Sequence, residues 1–135
     1  MYSSLYRAGF ARTQAAYDEA VVDVFETMDR VERQLSQTRY LAGDALTEAD
    51  IRLLPTLVRF DVGYHSAFKC NLRRLIDHPN LWAYARDLYQ MPGVAETVKF
   101  DVYRRGYHSR SDLRNPLGIV PIGPDNDWMA PHGRG

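Results

Sequence analysis

The sequence lacks the features of secreted and membrane-embedded proteins. Cys70 is the only cysteine among 135 residues, so no disulfide can form within the chain. This composition fits a reducing compartment better than an oxidising one, and we expect a cytoplasmic protein, with a secreted protein that lacks disulfides as the alternative. Residues 2–7 show neither the basic start nor the apolar run of a signal peptide. No stretch reaches the roughly 18 apolar residues that a membrane-spanning helix needs.

Excess charge and metal-ligand patterns are also missing. Seventeen basic and seventeen acidic side chains give a formal net charge of zero, so no overall field favours nucleic acid or an anionic membrane as a partner. The four histidines show no paired spacing on a helix face, which argues against a metal site. Phosphate-binding glycine motifs and the signature of a catalytic serine triad are absent too.

Helical periodicity is the main pattern that the chain does contain. No segment alternates apolar and polar residues over a strand length, so the sequence predicts an all-α fold. With 45% hydrophobic residues, the chain can bury the core of one domain. A long helix over residues 13–36 is indicated by apolar side chains at spacings of four and three, namely Tyr17, Val21, Val24, Met28, Val31 and Leu35.

A second helix begins with a capping signature. Thr47 as N-cap and Asp50 three residues later can form a capping box, which predicts a helix start at residue 47. Its apolar residues, including Ile51 and Val58, predict a central, buried helix. Pro55 lies inside this pattern, so we predict a kink there and no end of the helix. The pattern is interrupted over residues 63–71.

Weaker signals follow along the rest of the chain. We predict short helices over residues 72–76 and 94–102, with a further helical face formed by Leu81, Tyr84, Ala85 and Leu88. From residue 109 onward, prolines and glycines exclude regular helix. The apolar run of Leu117, Ile119, Val120 and Ile122 predicts that the first part of this tail docks. The domain is therefore assigned to residues 1–124, and residues 125–135 are expected to be a disordered tail.

Several motifs resemble one known family. Residues 43–51 (GDALTEADI) resemble the start of the central helix of glutathione-transferase C-terminal domains. More specific are residues 6–11 (YRAGFA), 59–61 (RFD), 68–74 (FKCNLRR), 88–93 (LYQMPG) and 115–121 (NPLGIVP). Together, over residues 6–124, they are similar to the Xi-class, omega-like glutathione transferases, the glutathionyl-hydroquinone reductases.

The resemblance implies a helical bundle and a division of labour. Family members carry a thioredoxin-like half, which binds glutathione as co-substrate and presents the catalytic cysteine, and a helical half that receives the aromatic substrate. That cysteine attacks the sulfur of a glutathionyl-hydroquinone, and a second glutathione resolves the mixed disulfide. This chain corresponds to the helical half, so we expect no cofactor bound by it alone, no catalytic residue in it, and no activity by itself.

The resemblance also assigns candidate substrate-binding residues. Tyr6, Tyr64 and Tyr107 match the family's aromatic-substrate site. A phenol stays protonated at neutral pH and can donate a hydrogen bond to a quinol oxygen, while its ring stacks on the substrate. The alternative for each is ordinary packing, with the hydroxyl at the surface. We assign the six other tyrosines to that alternative.

Other reactive residues receive structural interpretations. Cys70 beside Lys69 could be a nucleophile, but free cysteine is usually buried and no base accompanies it. Arg59 and Asp61 could shape a pocket, although an ion pair or cap is favoured. His65 and His108 each follow a site tyrosine and could line its cavity, with a surface position as the default. The basic stretch of Arg104, Arg105, Arg110 and Arg114 is interpreted as a solvated face.

Three hypotheses follow. The first is a detached aromatic-binding domain of a glutathionyl-hydroquinone reductase, inactive alone. The second is a helical interaction module that forms a homodimer, because the family is understood to dimerise through its helical domain. The third is half of a split enzyme that complements a separate thioredoxin-like chain. None of the three requires a nucleic acid or a membrane as a partner.

Overall fold

The computed structural model describes residues 1–135 and contains helices without β-strands, which confirms the all-α prediction. No helix combines the length and hydropathy needed to cross a bilayer. The α-helices are α1 Tyr2–Gly9, α2 Gln14–Leu35, α3 Glu48–Arg59, α4 His65–Ala67, α5 Pro79–Tyr89 and α6 Phe100–Tyr107. A π-helical turn, Phe60–Tyr64, joins α3 to α4, and 3₁₀ turns lie at Leu75–Asp77 and Ala95–Thr97.

The long helix α2 is the element against which α1 and α5 pack. It begins after Thr13, whose Oγ1 accepts a hydrogen bond from the Ala16 amide at 3.2 Å, so the predicted start is confirmed. The Glu32 carboxylate on α2 accepts hydrogen bonds from the backbone amides of Asn80 and Leu81 at 2.9 and 3.0 Å. One acidic side chain of α2 thus caps the first turn of α5.

The predicted capping site at the start of α3 is built around a buried carboxylate. Asp50 is fully buried and accepts hydrogen bonds from the Thr47 amide at 2.9 Å, the Leu41 amide at 3.0 Å and the Tyr84 hydroxyl at 2.7 Å. Burial alone would raise the pKa of Asp50, but these hydrogen bonds outweigh it and lower the pKa. The carboxylate therefore stays ionised inside the domain and joins α3 to α5.

Two details of the α3 prediction need correction. Ile51 was placed on the buried ridge, yet it is 53% exposed. Asp50 takes the inward direction in the first turn, and the next residue on a helix points about 100° away. Residues 63–67 were predicted to interrupt the helix, but they continue it through the π-helical turn into α4. The prediction that the helix continues past Pro55 is confirmed, because α3 ends at Arg59.

Three short elements, one before α2 and two after α4, also differ from the prediction. The α5 helix is confirmed, whereas the short helix expected over residues 94–102 divides into a 3₁₀ turn and the later helix α6. The helix expected over residues 72–76 is a 3₁₀ turn shifted toward the chain end. Helix α1 was not predicted. Its buried face consists of Ser4, Leu5, Ala8 and Gly9, which are small residues apart from one leucine.

The tail prediction needs two corrections, although the first part of the tail does contact the domain, where Asn115 donates to the His108 carbonyl oxygen at 2.6 Å and Arg104 donates to the Pro124 carbonyl oxygen at 2.8 Å. Leu117 and Ile122, which were expected to dock, are 81% and 98% exposed. Beyond residue 125, Trp128 is buried, with its ring centroid 4.8 Å from that of Trp82 and 5.3 Å from that of Phe100. A tryptophan ring gains more from burial than an aliphatic side chain does, and the domain offers it an aromatic pocket.

Polar contacts hold the same segment. The Gln90 side-chain amide donates to the Trp128 and Ala130 carbonyl oxygens at 2.8 Å each. The Arg134 guanidinium donates to three carbonyls around the end of α2, those of Leu35, Thr38 and Arg39, at 2.9–3.2 Å. A cation at the carboxyl end of a long helix is favourable. The tail thus fastens α5 and α2.

Replacing Trp128 by alanine should destabilise the domain by about 3 kcal/mol, because a buried indole is removed from an aromatic pocket. Ile122→Ala is the matched control. It deletes an apolar side chain of the same tail that is 98% exposed, and it should change stability by less than about 0.5 kcal/mol. Urea unfolding of both variants measures the difference. Equal stability of the two would show that Trp128 is not docked.

Candidate functional site

Three tyrosine hydroxyls meet at one point of the structure. The Tyr107 hydroxyl oxygen lies 2.9 Å from that of Tyr6 and 3.0 Å from that of Tyr64. These residues come from α1, the π-helical turn and the last residue of α6. The structure therefore brings together all three tyrosines singled out in the sequence, with Tyr107 as the bridge.

Gly63 allows Tyr107 to reach this position. A Cβ atom at residue 63 would lie 2.8 Å from Cδ2 of Tyr107, closer than real contacts allow. The Tyr107 ring therefore rests directly on the backbone of the π-helical turn, where it meets the Tyr64 ring edge-on at 5.0 Å between centroids. π-Helical turns occur often at functional sites. Here the turn supplies both a surface for one ring and the attachment of the other.

A second glycine brings α1 to the cluster. A Cβ atom at Gly9 would lie 2.4 Å from the Phe68 ring, so only glycine permits the observed approach. The Phe68 ring in turn lies 5.0 Å from that of Tyr6 and 5.6 Å from that of Tyr107, both edge-on. The Tyr64 ring lies 5.5 Å from that of Phe68 as well, so Phe68 packs against all three site tyrosines.

The local environment favours the neutral form of two of these phenols. Burial, followed by the hydrogen bond to Tyr107, raises the pKa of both Tyr6 and Tyr64 above the ordinary value of 10. Three neutral hydroxyls hold three protons, and their two mutual hydrogen bonds use only two of them. The third O–H is not used in these two bonds.

Tyr2, which was assigned to packing, lies at the rim of this cluster. Its ring centroid is 4.8 Å from that of Tyr6, and the side chain is 62% exposed. Hydrogen bonding between the Tyr2 and Tyr6 hydroxyls raises the pKa of Tyr2. The spacing of four residues on α1 could have indicated this contact.

A cavity of about 230 Å³ lies beside Tyr107. Among the three site tyrosines only Tyr107 lines it, together with Ser66, Ala67, His108, Arg114, Asn115, Ile119 and Pro121. A cavity of this size can hold one substituted aromatic ring. A surface position was favoured for His108, but its side chain is buried and lines the cavity. His65 does not line the cavity.

His108 has a defined tautomer in this cavity wall. Its Nδ1 lies 2.8 Å from the Arg104 carbonyl oxygen, which can only accept, so Nδ1 carries the proton. Its Nε2 lies 2.6 Å from the Ser66 hydroxyl oxygen, within hydrogen-bond distance. The pair ties the end of α6 to α4, next to the Tyr107 ring.

Cys70 is not placed for chemistry. The residue is fully buried, it does not line the cavity beside Tyr107, and burial raises the pKa of its thiol to about 12. At pH 7 almost none of it is thiolate, the form that attacks sulfur. This placement fits the structural interpretation of Cys70.

Arg59 and Asp61 do not form an ion pair. Arg59 lies over the Tyr103 ring at 4.5 Å and donates to the Pro55 carbonyl at 3.1 Å. The buried Asp61 carboxylate accepts the Leu75 amide at 2.7 Å. Burial raises the pKa of Asp61. Neither side chain lines the cavity beside Tyr107.

Comparison with known proteins identifies relatives of the whole chain. Residues 14–87 match the family model described as glutathione S-transferase, C-terminal domain. The chain is 54% identical over 132 residues to the glutathionyl-hydroquinone reductase YqjG of Escherichia coli (strain K12), an alignment that covers 98% of this chain and 40% of that protein. It is 49% identical to the glutathionyl-hydroquinone reductase PcpF of Sphingobium chlorophenolicum, with 90% and 39% covered.

Solved structures agree with the fold. The glutathione-bound structure of YqjG superposes with a TM-score of 0.94 at 55% identity, covering 98% of this chain and 43% of that one. A Xi-class glutathione transferase from Natrialba magadii gives 0.95 at 49% identity, with 98% and 41% covered. The chain spans about 40% of the length of the curated relatives it matches.

Gly63→Ala should displace the Tyr107 ring and destabilise the domain by about 1–3 kcal/mol, since the new methyl group overpacks the site. Gly106→Ala on α6 is the matched control, because a Cβ atom there meets no atom within 4 Å. It should be neutral or stabilise the domain by up to about 1 kcal/mol. Thermal unfolding measures stability, and near-ultraviolet circular dichroism reports the tyrosine environment. An unchanged tyrosine signal in Gly63→Ala would contradict the close packing.

Proposed function

The chain belongs to the glutathione S-transferase C-terminal domain family, and on that premise we propose that it binds the aromatic substrate of a glutathionyl-hydroquinone reductase-like glutathione transferase. The observation that carries this proposal is the meeting of three neutral phenol hydroxyls at Tyr107. The two relatives named as glutathionyl-hydroquinone reductases support the substrate class.

The tyrosine cluster suits a hydroquinone for two reasons. The spare O–H of the cluster can donate to one quinol oxygen, and the surrounding rings offer edges and faces to the arene. When the aryl carbon–sulfur bond of a glutathionyl-hydroquinone breaks, the electron pair left on the aryl group needs a proton. A neutral phenol at the site can supply it.

The attacking thiolate must come from elsewhere. Cys70, the only cysteine, is buried with its pKa raised to about 12, so the chain offers no sulfur nucleophile for thiol exchange. We propose that a thioredoxin-like unit, on the same protein or on a separate chain, supplies that thiolate and binds glutathione as co-substrate. The helical chain by itself then binds substrate without turning it over.

Tyr107→Phe should weaken the binding of methylhydroquinone to the chain by about tenfold, because the bridging hydroxyl is lost and two others lose a partner. Tyr103→Phe is the matched control, since its ring lies under Arg59 and outside the cluster. Calorimetric titration at pH 7 measures both. Because the pKa of Tyr6 and Tyr64 is raised, the affinity should stay constant from pH 6 to 9.

Equal affinities of the two variants would remove the role of Tyr107. Rapid release of hydroquinone from a glutathionyl-hydroquinone by this chain with glutathione, lost in Cys70→Ser, would overturn the assignment of the nucleophile to another unit.

We further propose that the chain is cytoplasmic and forms a homodimer through its helical domain, the expectation drawn from the family resemblance. The exposed apolar side chains of Leu117, Ile119 and Ile122 support a contact between copies. Sedimentation velocity at micromolar concentration should give the mass of two chains. A species of 15.5 kDa would contradict the dimer.

A further inference from the structure

A second cavity, of about 350 Å³, lies where the connection from α1 to α2 meets residues 69–71. Three of its lining residues are cationic, namely Arg12, Lys69 and Arg114, and no carboxylate lines it. None of the three site tyrosines lines it either. The cavity is therefore distinct from the cluster around Tyr107, with which it shares only the neighbouring Arg114.

These three cations have no acidic partner. No ion pair within 4.0 Å includes Arg12, Lys69 or Arg114, whereas the nearby Arg7 pairs with Asp23 at 2.7 Å. Like charges that line one cavity without a counter-ion there repel one another. In a chain with zero net charge, this local excess of positive charge is a property of the site.

Arg114 is held between the two cavities. Its guanidinium carbon lies 4.5 Å from the Phe10 ring centroid and 5.6 Å from that of Phe68. Its Nε atom is buried without a hydrogen-bond partner. Stacking on these two rings holds the charged end of Arg114 at the border of both cavities.

The backbone fixes Lys69 at the same place. Lys69 has φ of 57°, the left-handed conformation that lysine rarely adopts. The Tyr17 hydroxyl donates to the Lys69 carbonyl, and the Cys70 amide donates to the Tyr64 carbonyl at 3.1 Å. The segment that follows the tyrosine-bearing turn is thus bonded on both sides, and it presents Lys69 to the cavity.

We propose that this cavity binds a small anion, a carboxylate or phosphate group of a ligand, between Arg12, Lys69 and Arg114. Both anions suit these side chains because arginine offers a planar set of N–H donors and lysine a point charge. The cavity also contains the start of the 22-residue helix α2, whose first turn carries no acidic residue, and this end of a helix dipole attracts negative charge.

Titration of the full chain with inorganic phosphate, at ionic strength held constant with sodium chloride, tests the proposal. Amide resonances of Gln14 and Asn71 should shift and saturate at millimolar phosphate. The double variant Arg12→Gln with Lys69→Asn should bind at least tenfold more weakly. Asparagine is chosen because it tolerates the left-handed conformation. If the double variant does not fold, Lys69→Asn alone provides the test, with a smaller weakening expected.

Arg33→Gln is the control, since Arg33 lies in a groove whose other lining residues include Glu26 and Asp29. Phosphate binding should be unchanged in it. Shifts that do not saturate, or that are equal in wild type and the charge variant, would overturn the proposal. Displacement of phosphate by acetate would support a carboxylate ligand, and resistance to acetate would support a phosphate ligand. Tyr107→Phe should leave phosphate binding unchanged, so this test is independent of the proposed function.

Discussion

The buried Asp50 carboxylate is the interaction on which the architecture depends. An ionised group inside a domain is costly unless it is hydrogen-bonded, and here the amides of Leu41 and Thr47 and the Tyr84 hydroxyl provide three bonds. They join the loop before α3, the start of α3 and the middle of α5. The π-helical turn that follows α3 carries Gly63 and Tyr64. The hydrogen bonds of Asp50 at the start of α3 therefore help to position the tyrosine cluster at the other end of that helix.

Close backbone approach is the second constraint. Gly9 and Gly63 each lie under an aromatic ring that would collide with any Cβ atom, and the rings they accept are Phe68 and Tyr107. The hydroxyls that meet are 101 and 43 residues apart along the chain, so no local preference can bring them together. Packing density decides the result. Two glycines set the distances, and the phenols then satisfy one another.

The sequence predicts best where local rules and packing agree. Helix α2, the start of α3 and α5 follow from apolar spacing and capping, and they are confirmed. The π-helical turn was missed because Gly63 by itself indicates a break in a helix, whereas in the structure the Tyr107 ring packs directly on its backbone. Trp128 was missed because proline and glycine around it indicate irregular backbone, which does not prevent docking. The three site tyrosines were selected by family resemblance, since phenols carry no periodic signal of their own.

Burial has opposite chemical consequences for the two kinds of acidic side chain near this site. It raises the pKa of Tyr64 and of Cys70 alike, because both groups must lose solvation to ionise. In the proposed site a phenol acts as a neutral donor, so a higher pKa would keep it in that form over a wider pH range. A thiol attacks as its anion, so the same shift removes its reactivity. One environment thus favours a neutral hydrogen-bonding group and disfavours a nucleophile within the same chain, which supports the proposal that a separate unit supplies the attacking sulfur.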